Sequence, residues 1–254
     1  MKNKVFTIKI WIALIACVSG IGSAANTLDS PNSKMKALFL HHYEAWQAHS
    51  KVVQDRIERE EPARMISSGR FPFEIFDSSD FRAIIQMGPP VLPIIFEQIG
   101  SGIQVDQNIL GRITKWKYYI SHLKESEDGT RVWKCDSLPG FRLVADTFGG
   151  YELWVYWWEK GGSTEIPITF EKYYCKRREY LEEGYLEKAD VEYKRMKDLG
   201  VAVLPYTIAK IQNGDVELIP LVTYLTENAV SEKSSAEDVL TWWQDNKEDW
   251  LIPF

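Results

Sequence analysis

The residues that could bind a metal ion are the four histidines, His41, His42, His49 and His122. His42 and His49 lie two helical turns apart in a segment with helical periodicity, so their imidazoles would share one face of a helix. A metal site needs a third and a fourth ligand, and the spacing of Glu44 and Glu58 does not place either one convincingly beside the pair. The chain contains no His-Glu-x-x-His sequence. We therefore predict partly buried histidines on a helix face and no metal site.

Two acidic clusters could supply the paired carboxylates of a glycosidase. They are Glu58-Arg-Glu-Glu61 and Glu179-Tyr-Leu-Glu-Glu183. Basic residues lie within or beside both clusters, a pattern typical of a solvated helix face. The chain also lacks a Gly-x-Ser-x-Gly nucleophile elbow, a phosphate-binding loop and a dinucleotide-binding fingerprint. The sequence thus predicts no catalytic residue and no cofactor.

Tryptophans cluster in two similar segments, residues 151–160 and 236–245. At an offset of 85 residues, Trp157 pairs with Trp242 and Trp158 pairs with Trp243. Exposed tryptophans could stack on sugars or anchor an interface. Recurrence of the pair instead favours two positions that both segments bury in the core.

A segment of about 27 residues within Lys115–Gly150 separates the two halves of the first unit and is missing from the second. Loops and insertions on a repeated scaffold often carry binding residues. Trp116 and Trp133 lie in this insert and are our candidate binding residues. Residues Thr130–Cys135 and Phe141–Ala145, each bounded by turn-forming residues, predict a β-hairpin or an irregular lobe.

Composition excludes several classes of protein. A chain with 45% hydrophobic residues is neither disordered nor of low complexity. Its 30 basic and 36 acidic residues give a net charge of −6, which argues against nucleic-acid binding. The partner that we expect is a protein.

The N-terminal residues 1–25 have the three parts of a secretory signal peptide. Lysines without an acid come first, an unbroken apolar run continues to Val18, and small residues precede a cleavage site after Ala25. Residues Leu14–Cys17 also resemble a bacterial lipoprotein box, in which Cys17 would carry the lipid. We therefore expect export, with a periplasmic or secreted protein, or alternatively an envelope lipoprotein that touches the membrane only through its lipid anchor.

Export would leave Cys135 and Cys175 in the folded part of the chain. An oxidising compartment favours a disulfide between them. The alternative is two separate thiols that behave as small apolar residues. Neither cysteine lies in a Cys-x-x-Cys motif.

An internal repeat relates residues 87–102 to residues 199–214, without a gap and at an offset of 112. The signature Gly88, Leu92 and Pro93 recurs as Gly200, Leu204 and Pro205. Each glycine would end a helix, and each proline would fall within the first turn of the next helix, where its missing N–H does little harm.

Two further helices are predicted outside the repeat. Lys34–Glu60 carries apolar residues mostly at steps of three and four. Ala236–Trp250 is the second, and Ser234 and Ser235 with Glu237 and Asp238 form its predicted N-cap region. The apolar end at Phe254 is expected to pack back on the body.

The repeated pattern resembles HEAT-type helical repeats of the armadillo-like class, over about residues 80–114 and 192–226. This resemblance implies a helical scaffold with a protein-binding surface, and it transfers no catalytic residue. A solenoid stacks three or more units, whereas this chain has two. We therefore expect a mainly α fold, a duplicated α-α superhelix-like body with a small irregular or β-hairpin insert.

We predict a signal peptide at 1–25, a first unit at 26–165 with the insert at 115–150, and a second unit at 166–254. The predicted function is that of an exported, non-enzymatic binding or scaffold protein. The alternative is an envelope hydrolase or carbohydrate-active protein that uses acidic residues and exposed tryptophans. The ligand and the oligomeric state stay open.

Overall fold

A computed structural model describes residues 31–60, 73–124, 131–144 and 151–254. The fold is mainly α with a small antiparallel sheet, as predicted. The signal-peptide prediction at 1–25 and Cys17 lie outside the described residues. None of the described helices has both the length and the apolarity that a membrane crossing requires.

The described residues 31–60 and 73–114 of the first unit form four α-helices, α1 (Pro31–Glu60), α2 (Ser79–Gln86), α3 (Leu92–Gly100) and α4 (Gln107–Thr114). The predicted long helix is confirmed as α1, which turns a stripe of buried apolar residues towards the core. Ser78 caps α2 by accepting a hydrogen bond from the backbone N–H of Phe81 at 3.0 Å. A 3₁₀ turn, Pro89–Val91, leads into α3, and Pro93 lies in the first turn of that helix.

The insert forms a three-stranded antiparallel sheet in the order β1 (Ile120–Lys124), β2 (Arg131–Cys135), β3 (Leu138–Val144). Strands β2 and β3 are the predicted hairpin, with an irregular register between Trp133 and Cys135. Strand β1 was not predicted. It pairs along its whole length with β2, and His122 lies opposite Trp133.

Residues 151–254, all of them described, form six α-helices: α5 (Tyr151–Tyr156), α6 (Ile166–Glu182), α7 (Leu186–Asp198), α8 (Leu204–Gln212), α9 (Ile219–Leu225) and α10 (Ala236–Trp250). A π-helical segment, Trp157–Glu165, joins α5 to α6 without a break. The predicted boundary between residues 165 and 166 therefore falls inside a continuous helical run. Gly161 and Gly162 in this segment admit Leu138 and Phe254, because a Cβ on either glycine would overlap those side chains.

The duplication is visible in the backbone. Gly88 and Gly200 have φ of 64° and 75°, and Gly102 and Gly214 have φ of 87° and 103°. A 3₁₀ turn and a helix come next in both segments. Pro89–Val91 precedes α3 in the first segment, and Gly200–Val203 precedes α8 in the second. The two segments thus share one conformation from Gly88 to Gly102 and from Gly200 to Gly214.

The two units close on each other and share one core. A Cβ added to Gly88 would lie 3.5 Å from the carbonyl oxygen of Asp249, at the end of α10. A Cβ added to Gly200 would lie 2.6 Å from the backbone nitrogen of Trp116, and closer still to the carbonyl oxygen of Thr114. Each unit therefore seats its glycine turn against a helix end of the other unit.

The tryptophan pairing predicted at an offset of 85 is wrong by one residue. Trp157 is fully buried and Trp243 is 8% exposed, whereas Trp158 and Trp242 are only partly buried. The two segments thus bury different rings of the Trp-Trp dipeptide, the first ring in one and the second in the other, because packing sets the core side of each helix. The C-terminal residue packs back as expected, with the ring of Phe254 at 5.3 Å from that of Trp157.

Candidate functional site

A cleft of about 550 Å³ lies where the two repeats meet, and we call it the inter-repeat groove. Its walls come from α2 and α4 of the first unit, α7 and α9 of the second, and the residues that follow α4 and α9. Four pairs of repeat-equivalent residues line it: Ile85 and Lys197, Gly111 and Thr223, Arg112 and Tyr224, and Lys115 and Glu227. The groove is therefore a product of the duplication.

Helices α4 and α9 end in the same way at the groove. Thr114 and Thr226 each donate a side-chain hydrogen bond of 2.8 Å to the carbonyl oxygen four residues earlier. The next residues, Lys115 and Glu227, both adopt the left-handed conformation, with φ of 55° and 56°. Left-handed residues end α4 and α9 in the same way. Their side chains then form an ion pair of 3.0 Å across the groove.

Basic side chains dominate the lining. They are Arg112, Lys115, Lys117 and Lys197, against the acids Glu227 and Glu232. The whole chain has the opposite sign, with a net charge of −6. The groove therefore concentrates positive charge on an acidic protein.

The Tyr224 side chain contacts two of these cations. The Lys117 ammonium donates a 3.2 Å hydrogen bond to the Tyr224 hydroxyl, which raises the pKa of Lys117. The Lys197 ammonium lies 5.1 Å from the centroid of the same ring. Lys117 is also attached through its backbone N–H, which donates to the carbonyl oxygen of Asp198 at 2.7 Å. Both ammonium groups thus converge on one aromatic ring.

Arg112 is positioned by aromatic rings on the other wall. The carbon at the centre of its guanidinium lies 5.2 Å from the ring centroid of Phe81 and 5.9 Å from that of Phe76. Stacking of this kind engages the face of the guanidinium and leaves its N–H groups for other acceptors.

Carboxylates at the edge of the groove are mostly engaged. Glu227 is paired with Lys115, as described above. Asp198 is buried, accepts a hydrogen bond of 3.2 Å from the Tyr119 hydroxyl, and lies 3.7 Å from the Lys117 ammonium. Glu232 is exposed at the rim.

A second cleft of about 590 Å³ adjoins the groove and shares Gly111 and Arg112 with it. Trp116 and Trp154 lie in its wall but are only 3% and 1% exposed. Asp106, the one acid that lines this cleft among the described residues, caps α4 by accepting from the backbone N–H of Asn108 at 2.7 Å. The indole faces are thus used in packing.

Trp116, a predicted binding residue, is buried, with 3% of its side chain exposed. Its ring stacks on Trp157 at 5.7 Å, and its Nε1 donates to the Ser137 hydroxyl at 3.1 Å. Trp116 therefore joins the insert to the core, because its ring packs against Trp154 and Trp157. Trp133 is partly buried on β2 and packs against the same core.

The predicted disulfide is not formed. Cys135 is buried, with its sulfur 3.3 Å from the Ser137 hydroxyl, whereas Cys175 is exposed on α6 beside Glu171. Both are free thiols. Burial raises the pKa of the Cys135 thiol.

Two histidines on α1, His42 and His49, contact segments that follow this helix in the chain. His42 Nδ1 lies 2.8 Å from a carboxylate oxygen of Asp80, which joins α1 to α2, and His49 Nε2 lies 3.1 Å from the carbonyl oxygen of Glu74. In the part of the chain that the structure describes, no group of three His, Cys, Asp or Glu side chains could hold a metal ion. Of the two acidic clusters, Glu58 and Glu179 are exposed at the helix surface.

Sequence reasoning missed Arg112, Lys117 and Lys197. The signal that could have found two of them is the repeat itself, because Ile85 becomes Lys197 and Arg112 becomes Tyr224 where the backbone is unchanged. Charges that differ between equivalent positions are not needed for the shared fold. Such an arrangement is suited to binding an anionic group.

Comparison of the chain with models of protein families, with characterised proteins and with solved structures gave no match.

Proposed function

We propose that the protein is an exported, non-enzymatic binding protein built on HEAT-like helical repeats, and that the inter-repeat groove holds a segment of a protein partner. The observation that carries the proposal is the lining of the groove by equivalent positions of both repeats. Surfaces between stacked helical repeats commonly form extended binding grooves. We propose export because residues 1–25 have the pattern of a signal peptide. We propose a non-enzymatic role because the amino-acid sequence of the chain contains no recognised catalytic motif.

The insert supports the same site. Its first residues, Lys115 and Lys117, line the groove, and Trp116 between them lines the adjoining cleft. Lys117 also lines a third cleft, of about 330 Å³, between the insert and α7. A chain segment that lay in the groove would therefore have adjoining clefts on both sides for its flanking residues.

Gly111 allows a direct test, because a Cβ at this position meets no atom within 4 Å. The substitution Gly111→Trp places a large ring at the junction of the groove and the adjoining cleft without a clash at its Cβ. Gly100→Trp is the matched control, since a Cβ at Gly100 also meets no atom within 4 Å and this residue lies at the end of α3, outside the lining of the groove.

The measurement is selection of a random peptide library displayed on phage against the wild-type protein, followed by binding assays of the selected peptides. We expect Gly111→Trp to abolish binding and Gly100→Trp to retain it, while circular dichroism shows both variants folded. Peptides that bind all three proteins equally, or a library that yields no binder, would refute a peptide-binding groove.

A further inference from the structure

We propose that the inter-repeat groove selects an acidic segment, with Arg112, Lys117 and Lys197 as the side chains that bind its carboxylates. This inference rests on the proposed function and adds the chemistry of the ligand.

Two of the cations, Arg112 and Lys197, have no carboxylate partner among the described residues. Among the described residues, no carboxylate oxygen lies within 4.0 Å of the nitrogens of Arg112 or Lys197. Their contacts are aromatic: Arg112 with Phe81, and Lys197 with Tyr193 at 4.9 Å and Tyr224 at 5.1 Å. A cation held over an aromatic face keeps its hydrogen-bond donors available for an external acceptor.

Two lysine ammonium groups lie beside the same aromatic ring in the groove. The ammonium groups of Lys117 and Lys197 lie 5.9 Å and 5.1 Å from the centroid of one ring, Tyr224. Both charges add to the positive potential beside this ring, so an anion bound there interacts favourably with both ammonium groups. Asp198, at 3.7 Å from Lys117, offsets part of one of these charges.

The cationic side chains of the groove are preorganised. Arg112 is placed by Phe76 and Phe81, and Lys117 by the hydroxyl of Tyr224 and by its own backbone hydrogen bond. Side chains that are already ordered lose less entropy when a ligand binds. The planar guanidinium also matches the two oxygens of a carboxylate.

An acidic polypeptide fits these features better than a nucleic acid does. A nucleic acid presents a phosphate at every nucleotide, and it is engaged by extended basic surfaces. Here the positive charge is confined to one groove of about 550 Å³ on a chain with a net charge of −6. A short segment with a few carboxylates carries less negative charge than a nucleic acid, so it can match the local charge of the groove with less repulsion from the acidic remainder of the protein.

The test uses fluorescence anisotropy with three labelled ten-residue peptides, one rich in Asp and Glu, one rich in Lys and one neutral. We expect the acidic peptide to bind most tightly, and its affinity to fall as salt rises from about 50 to about 300 mM. Arg112→Gln and Lys197→Gln should each weaken binding by about two- to fivefold, and the double variant by about tenfold.

Two control variants sharpen the assay. Lys172→Gln removes the same charge from an exposed position on α6 outside the lining of the groove, and should change affinity by less than about twofold. Glu232→Gln removes an acid from the rim and should tighten binding by about twofold. Equal binding of acidic and neutral peptides, a loss in Lys172→Gln as large as in Arg112→Gln, or tighter binding of a single-stranded oligonucleotide than of the acidic peptide would overturn the inference.

The two proposals can fail separately. Groove-dependent peptides from the phage library that lack acidic residues would uphold the binding groove and reject the acidic ligand. Acidic peptides that bind Gly111→Trp as tightly as the wild type would reject the groove as their site, and with it the assigned roles of Arg112 and Lys197.

Discussion

Replacement of Gly200 by alanine tests how the second unit is seated against the groove. Gly200 has φ of 75°, and a Cβ there would lie 2.6 Å from the backbone nitrogen of Trp116 and 2.9 Å from the carbonyl carbon of Lys115. The left-handed conformation costs a residue with a Cβ about 1–2 kcal/mol. Displacing packed backbone costs about 1–3 kcal/mol more. We expect Gly200→Ala to lower the free energy of unfolding by about 2–5 kcal/mol.

Two other glycines separate the contributions to this loss. Gly102 has φ of 87°, and a Cβ there meets no atom within 4 Å, so Gly102→Ala should cost only the conformational part, about 1–2 kcal/mol. Gly111 lies within α4 with open space at its Cβ, so Gly111→Ala should stabilise the protein by about 0.5–1 kcal/mol.

The assay is urea unfolding followed by circular dichroism and tryptophan fluorescence, with the midpoint and slope fitted for each variant. The Gly200→Ala loss should exceed the Gly102→Ala loss by more than about 1 kcal/mol. It should also weaken binding at the groove, because Thr114, Lys115 and Trp116 must shift to admit the Cβ. Equal losses in Gly200→Ala and Gly102→Ala would refute the close contact between the units.

Three further predictions concern the thiols, the pH dependence and the N-terminus. Ellman's reagent should label Cys175 at once in the native protein, because this thiol is exposed. It should label Cys135 only on unfolding, because that thiol is buried. Simultaneous labelling of both thiols would contradict this packing. Burial raises the pKa of Tyr43 to about 12. The unfolded state therefore loses this proton at a lower pH than the folded state does, and the free energy of unfolding should fall as pH rises from about 10 towards about 12. Tyr43→Phe should make this fall shallower in urea titrations, and an unchanged pH dependence would contradict the prediction. The intact mass of the exported protein should show cleavage after Ala25 even in Cys17→Ser, whereas a lipid-modified mass that Cys17→Ser removes would establish the lipoprotein alternative.

Local signals predicted the helices well. Helix α10 begins and ends at Ala236 and Trp250 as expected, because Ser235 and Asp238 form a reciprocal cap that short-range sequence encodes. Helix α1 begins three residues before the predicted start at Lys34. Pro93 and Pro205 lie in first turns, as their lack of an N–H requires.

Features that depend on distant segments were missed or misplaced. Strand β1 has no alternating pattern of its own and is defined by pairing with β2. Burial of Trp116 depends on α5, the π-helical segment and Ser137, none of which is its neighbour in sequence. The tryptophan register was off by one because the dipeptide gives two rings and only packing selects the buried one.

The sequence by itself determined the repeated backbone, because a glycine at positive φ and a proline in a first turn are local requirements that recur at Gly88 and Pro93 and again at Gly200 and Pro205. Only the tertiary structure decided where the charges gather. Arg112 and Lys197 are separated by 85 residues in the chain, and they line one groove because the two units close on each other. Torsion angles are set within a few residues, whereas an electrostatic surface is a sum over side chains that packing brings together.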